Sequence, residues 1–303
     1  MILVMVFILA ILVVQTMGYR LYLNKALGRI TDRLASVRIE MIEQIPKDSS
    51  VLASHVFLPK LSNRNDLYSI FMLMQNRVYL TNSKFEPRKS IDYVLLDFSE
   101  PLLRVNLSKH PQYYADIFKN YFEHNSLVPV RSVEDVYLFK RSDNDHIQLD
   151  GVLERNRPSI CENGLVDLDE KLMLCSYRAS GGSGIIHMEF YWDVFRDPRS
   201  TIALQFCLLK NNKVVYSKRR DVGFELYPVS GWKKGELIKD AYNYYVDDLE
   251  SGDYDIEVTF FNMNSKSYSV IKNLKSTLTA DNGRIFFGHV RVNSNQEYIF
   301  SGN

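Results

Sequence analysis

Residues 201–218 read TIALQFCLLKNNKVVYSK. Two apolar, β-branched and aromatic runs flank Lys210-Asn211-Asn212-Lys213. Asparagine tolerates the left-handed backbone of tight turns, so this stretch reads as a β-hairpin that sets Phe206 and Leu208 against Val214 and Tyr216. The same pattern continues outward in both directions. Strand-like runs fall at residues 171–177, 185–192, 236–245, 254–261, 267–271, 284–292 and 297–300, separated by Gly, Asn, Asp and Ser clusters. Helical periodicity nearly vanishes beyond residue 150. Many short strands at this spacing predict an antiparallel β-sandwich over 150–303, entered through a polar stretch at 143–150.

Upstream the pattern changes. Residues 51–54, 68–73 and 91–97 read as strands, 112–122 as a helix with Tyr114, Ile117, Phe118 and Tyr121 on one face, and 128–130 and 136–140 as two further strands. Alternation of this kind predicts a small Rossmann-like α/β domain over 46–141 with a largely parallel sheet. Before it, Leu23, Leu27, Ile30, Leu34, Val37, Met41 and Ile45 recur at steps of four and three, predicting an amphipathic helix over 20–45 that Pro46 ends. Residues 2–14 are uninterruptedly apolar and the first charge is Arg20. A helix over 1–19 would be about 28 Å long, enough to predict a transmembrane span, with Tyr19, Tyr22, Arg20 and Lys25 at the lipid boundary. A signal peptide is the alternative, but it lacks a basic leading segment and a small-residue cleavage site. The fold expected is therefore α/β plus all-β: a membrane helix, a small α/β domain and a C-terminal β-sandwich.

Lys and Arg number 37 against 36 Asp and Glu, a formal net charge of +1. No whole-chain field draws in nucleic acid, and no nucleic-acid partner is expected. Cys161, Cys175 and Cys207 fit no metal or redox spacing. Basic residues after the first helix favour a cytoplasmic chain. Arg29, Arg33 and Arg38, however, interleave with Asp32, Glu40 and Glu43 on a helix, so the expectation is a single-pass cell-membrane protein with extracytoplasmic soluble domains.

Residues 45–54 (IPKDSSVLAS), Leu58-Pro59, Leu61-Ser62-Asn63-Arg64, Tyr68 and residues 92–97 (DYVLLD) occur in an order that resembles the soluble module of a family of uncharacterised multi-pass membrane proteins. That family is similar to the GT-C glycosyltransferases, which use polyprenyl-phosphate-linked sugars. Trp232-Lys233-Lys234-Gly235-Glu236 followed by Gly252-Asp253-Tyr254 resembles the β-sandwich tails of related proteins. The resemblance implies a place in envelope glycan or glycolipid assembly. It also implies catalytic membrane helices that this chain does not match.

The search for chemistry yields few groups. Asp167/Asp169, with Asp143/Asp145 and Asp253/Asp255, are D-x-D triplets of the kind that hold a divalent cation on a sugar diphosphate, and Asp167 with Asp169 are the metal candidates. His187 and Glu189 share one strand face and suit an acid/base pair or a structural pair. Ser180-Gly181-Gly182-Ser183-Gly184 lacks the Lys-Ser/Thr of a phosphate loop and reads as a flexible loop. Trp232, Tyr242 and Tyr244 suit stacking on a sugar, or a sandwich core. No cofactor and no catalytic residue is expected. The function expected is a membrane-anchored, non-catalytic module that binds or positions a glycan or lipid-linked sugar, with the lipid bilayer and a multi-pass membrane protein as partners. Its alternatives are part of a lipid-linked-sugar transferase and a secreted sugar-binding protein.

Overall fold

The computed structural model describes residues 34–78, 81, 83–142, 152–154, 165–168, 171–198, 201–223, 227–263, 269–270, 280–281, 284–295 and 297–301. The chain divides into two compact units, residues 1–46 and 47–303. In the first, helix α1 (Ala35–Glu43) is described, with Leu34, Val37, Met41 and Ile45 of the expected stripe buried.

The second unit opens with β1 (Val51–Ala53), a 3-10 turn at His55–Phe57, α2 (Leu58–Leu61), β2 (Leu67–Ser69) and α3 (Ile70–Gln75). It continues through β3 (Tyr93–Asp97), α4 (Pro101–Lys109), α5 (Pro111–His124), β4 (Leu127–Val133) and β5 (Val136–Arg141). The strands form one sheet in the order β2-β1-β3-β5-β4. β1 runs parallel to β2 and β3, whereas β5 is antiparallel to both β3 and β4. Leu52, Val94, Leu96 and Phe139 of the sheet pack with Phe118 and Phe122 of α5 in one core.

The apolar run read as a strand through residue 73 turns helical at Ile70. Ser69 Oγ accepts the Phe71 N–H at 3.3 Å, Asn76 closes the helix in the left-handed conformation, and Ile70, Phe71, Leu73 and Met74 are buried. Ser69→Ala should therefore cost about 1 kcal/mol in a urea titration.

Beyond residue 150 lie β6 (Val152–Glu154), β7 (Val166–Leu168), β8 (Leu172–Gly182), β9 (Ile185–Val194), β10 (Ile202–Lys210), β11 (Lys213–Asp221) and β12 (Leu237–Tyr245). They are followed by β13 (Gly252–Asn262), β14 (Ser269–Val270), β15 (Ala280–Asp281), β16 (Arg284–Val292) and β17 (Tyr298–Ser301). One antiparallel sheet has the order β6-β12-β9-β8-β7; the other runs β11-β10-β13-β16-β15, with β14 on β13 and β17 on β16. Their inner faces share a core in which Phe206 stacks on Tyr244 at 4.1 Å and Trp192 meets Phe260 edge-on at 5.5 Å. Asn211 and Asn212 both take positive φ, 52° and 60°, closing the β10–β11 hairpin. Ser183 and Gly184 do the same between β8 and β9, so the glycine-rich stretch is a hairpin end rather than a loose loop.

Three expectations are corrected. The fold is dominated by strand, in three sheets with few helices, rather than an even α/β plus all-β arrangement. The first sheet is mixed and not Rossmann-like, because β4 and β5 return as an antiparallel hairpin against β3. The single-pass cell-membrane localisation, with extracytoplasmic domains, is not supported: among the described residues no helix is long and apolar enough to cross a membrane. The expected span at 1–19, and 20–33 of the expected amphipathic helix, lie outside the described residues.

The β4–β5 turn ties the mixed sheet to the sandwich. Glu134 takes φ 54° and its N–H donates to the Asn243 carbonyl at 2.8 Å, while Asn243 Nδ2 donates to the Ser132 carbonyl at 2.9 Å. Tyr216 donates its hydroxyl to Glu134 Oε1 at 2.6 Å. Lys218 Nζ lies 2.7 Å from carboxylate oxygens of both Glu134 and Asp135, and Arg220 lies 3.1 Å from Asp135 Oδ1.

Candidate ligand cleft

Two irregularities open the flank of the sandwich. β7 pairs only with Leu172–Leu174, so the rest of β8 has β9 alone as a strand neighbour among the described residues. On the facing sheet, β15 reaches β16 at Arg284 and Ile285, and β17 reaches it at residues 289–292. Between them a register shift pairs Ile256 with Gly288 and Glu257 with Phe286, leaving Phe287 as the extra residue of a bulge.

A cleft of about 310 Å3 lies there, lined by Tyr177, Ala179, Ile256, Phe287, His289, Phe300 and Ser301. Tyr177 meets Phe287 edge-on at 4.6 Å and donates its hydroxyl to the Phe287 carbonyl, satisfying the group that the bulge displaces. Burial pushes the Tyr177 hydroxyl pKa up. Gly181 has no room for a side chain, since a Cβ would stand 2.5 Å from the Ile185 carbonyl and 3.2 Å from the Phe300 ring. Glycine here lets Phe300 lie close against β8. At the rim, His289 Nδ1 lies 2.7 Å from Asp255 Oδ1. The lining thus offers aromatic faces, an imidazole–carboxylate pair and a hydroxyl.

The residues singled out from the sequence lie elsewhere. Asp167 is buried within β7, and Asp169, Asp143 and Asp145 lie outside the described residues. Asp253 and Asp255 face Arg291, at 2.6 Å, and His289 across the ladder, which leaves no open carboxylate pair for a cation. Among the described residues no group of three His, Cys, Asp or Glu stands close enough to hold a metal ion. Trp232, Tyr242 and Tyr244 are fully buried and present no ring face to a sugar. Trp232 donates its indole N–H to the Tyr227 carbonyl at 2.9 Å. Tyr242 donates to Asp240 and lies beneath the Arg220 guanidinium at 5.2 Å.

His187 and Glu189 do come together. His187 Nε2 is 3.3 Å from Glu189 Oε1 and Nδ1 is 2.7 Å from Asn243 Oδ1. Burial alone would raise the Glu189 pKa, but hydrogen bonds from Lys239, Tyr191 and His187 outweigh it and draw it down to about 2. A carboxylate so fully engaged is a poor proton acceptor. Cys175 is disulfide-bonded, and Cys207 is a free buried thiol.

A second place of interest is the crevice at the carboxyl ends of β1 and β3, where open α/β sheets commonly bind ligands. Here Glu100 accepts the His55 N–H at 3.0 Å, and a further hydrogen bond from the Val56 N–H. Its carboxylate thus takes up these backbone donors itself. Burial raises the Glu100 pKa and lowers that of His55.

No protein-family model matches this chain, and no curated protein matches it. Among solved structures, the C-terminal domain of wzt is similar over 46% of this chain and 90% of its own, at 11% identity and a TM-score of 0.27. Chicken MD-1 complexed with lipid IVa is similar over 35% of this chain and 90% of its own, at 16% identity and a TM-score of 0.23. A β-glucuronidase of Bacteroides uniformis aligns over 44% of this chain but 15% of its own, at 11% identity and a TM-score of 0.24. Likenesses this distant carry no argument about function.

Proposed function

We propose that this protein is a non-catalytic binding module that takes one sugar ring of a glycan into the flank cleft. The observation that carries the reading is the cleft itself. Its volume of about 310 Å3 falls at the small end of ligand sites, which span roughly 300–1,000 Å3. Phe300 and Tyr177, both partly exposed, supply apolar ring surface for the C–H face of a sugar, while His289, Asp255 and Ser301 supply rim groups for its hydroxyls. The resemblance of residues 45–97 to modules associated with GT-C proteins points to the same ligand class.

The test is titration of the full chain with a panel of monosaccharides and short oligosaccharides, followed by ligand-observed NMR. Binding should weaken at least about tenfold on Phe300→Ala with the circular dichroism spectrum unchanged, since a half-buried aromatic platform contributes more than 1 kcal/mol. Absence of binding across the panel, or equal binding by Phe300→Ala, would overturn the assignment.

A further inference from the structure

Independently of the glycan reading, we infer that the face beyond the carboxyl ends of β1 and β3 docks on an anionic lipid surface, with α4 lying along it. The observation is a group of exposed aliphatic side chains gathered in one place. Leu103 and Leu107 hold α4 on its core, at 0 and 8% exposure, whereas Leu102 and Val105 are 57 and 50% exposed. Val105 and Lys109 follow Leu102 at steps of three and seven, which places all three on one stripe of the helix. Val56 is 44% exposed. Its N–H bonds to the carboxylate of Glu100, two residues before Leu102, so it adjoins the same stripe.

The charges at this face fit an anionic partner. Lys60, in α2 directly after the turn that carries Val56, and Lys109 are exposed. Asp97 and Glu100 are 0 and 5% exposed; Asp97 accepts the Ser99 N–H at 2.9 Å and Glu100 accepts the His55 N–H at 3.0 Å. The ammonium groups therefore face outward and these carboxylates inward. Val56, Leu102 and Val105 together expose far less than the roughly 1,000 Å2 that a specific protein interface buries. A bilayer needs no such area or matching shape, because it admits single aliphatic tips below the head groups and holds lysines at anionic head groups above them. The contact is one of surface docking and requires no spanning helix.

The experiment places a tryptophan on the stripe, Leu102→Trp in the full chain, and adds vesicles of phosphatidylserine and acyl-brominated phosphatidylcholine, which quench an indole that enters the acyl layer. Trp192 and Trp232 are fully buried, so the parent chain supplies the baseline. The expected result is quenching of the added indole that the parent does not show, lost in vesicles of brominated phosphatidylcholine alone and lost when Lys60→Glu and Lys109→Glu are combined with it. Val105→Asp, which sets a charge on the docking stripe, should weaken the vesicle titration at least about tenfold while the circular dichroism spectrum stays unchanged. No quenching beyond the parent would overturn the docking and leave the stripe to a protein partner. Equal quenching without phosphatidylserine, or in the folded double lysine variant, would overturn the anionic-lipid assignment.

Discussion

Replacing Arg220 with alanine should lower the unfolding free energy by about 3–5 kcal/mol, the range found when one partner of a buried ion pair is removed. The guanidinium side chain is 3% exposed. It donates to the Glu134 carbonyl and to Asp135 Oδ1, and it lies over the Tyr242 and Tyr244 rings at 5.2 and 6.0 Å. Burial opposes ionisation of Asp135, but Arg220 and then Lys218 overcome it and hold its pKa below the ordinary carboxylate value. Without Arg220, Asp135 keeps Lys218 at 2.7 Å but loses the cation that acts on it most strongly, and the Glu134 carbonyl loses a donor.

Arg220→Lys should recover only part of the loss, because an ammonium cannot reproduce the planar fork that reaches both acceptors. Urea titration followed by tyrosine and tryptophan fluorescence measures both variants. A loss below about 1 kcal/mol would place this cluster with solvent-screened surface pairs instead. Glu134 and Asp135 belong to the β4–β5 turn and Arg220 to β11. The alanine variant should therefore also split unfolding into two transitions, one for the mixed sheet and one for the sandwich.

That cluster shows where sequence reading stops. Lys218-Arg219-Arg220 reads as a solvated hairpin edge, because nothing local reveals that Asp135, 83 and 85 residues upstream, stands against Lys218 and Arg220. The β10–β11 hairpin, by contrast, is legible in its turn: both turn asparagines take the conformation that their chemistry permits and Leu208 stands opposite Tyr216, although Phe206 faces Lys218. Val214 departs from the expectation. A register shift between Leu208 and Leu209 sets it against Leu209 and leaves it exposed.

Short elements escape for a different reason. β6 and β7 are three residues each, too short for alternation to show, and α3 hides in an apolar run whose period cannot separate helix from strand. The cleft was illegible because a bulge makes it, between β8 and strands more than a hundred residues later. Trp232, Tyr242 and Tyr244 drew attention as aromatic candidates, yet tyrosine at alternate positions on a strand fits a sandwich core equally well, and the structure places all three there.

Asp240 should make this protein less stable at pH 7 than at pH 4 by about 2 kcal/mol from its own titration. The carboxyl is 3% exposed. Burial raises its pKa to about 6, against the counter-pull of the Tyr242 hydroxyl, the Gly223 N–H at 3.1 Å and the Arg220 charge. A carboxyl whose pKa is higher in the folded state than in the unfolded chain binds its proton more tightly when folded. The stabilisation is therefore complete below about pH 4 and is lost as pH rises through about 6.

Glu189 works with the opposite sign and in a lower window. Its pKa is drawn down to about 2, so its contribution is full above the ordinary glutamate range and is lost progressively as pH falls from about 5 to about 2. The two effects oppose each other below about pH 5, and above it the Asp240 titration stands alone of the two. Asp240→Asn keeps an acceptor for the Gly223 N–H and removes the titration, so it should flatten the fall in urea midpoint above about pH 5. If the fall persists in Asp240→Asn, another group carries it. The two predictions also meet: Arg220 is one of the groups that hold the Asp240 pKa down. In Arg220→Ala the midpoint of the pH dependence should move upward, a shift that loss of packing alone would not produce.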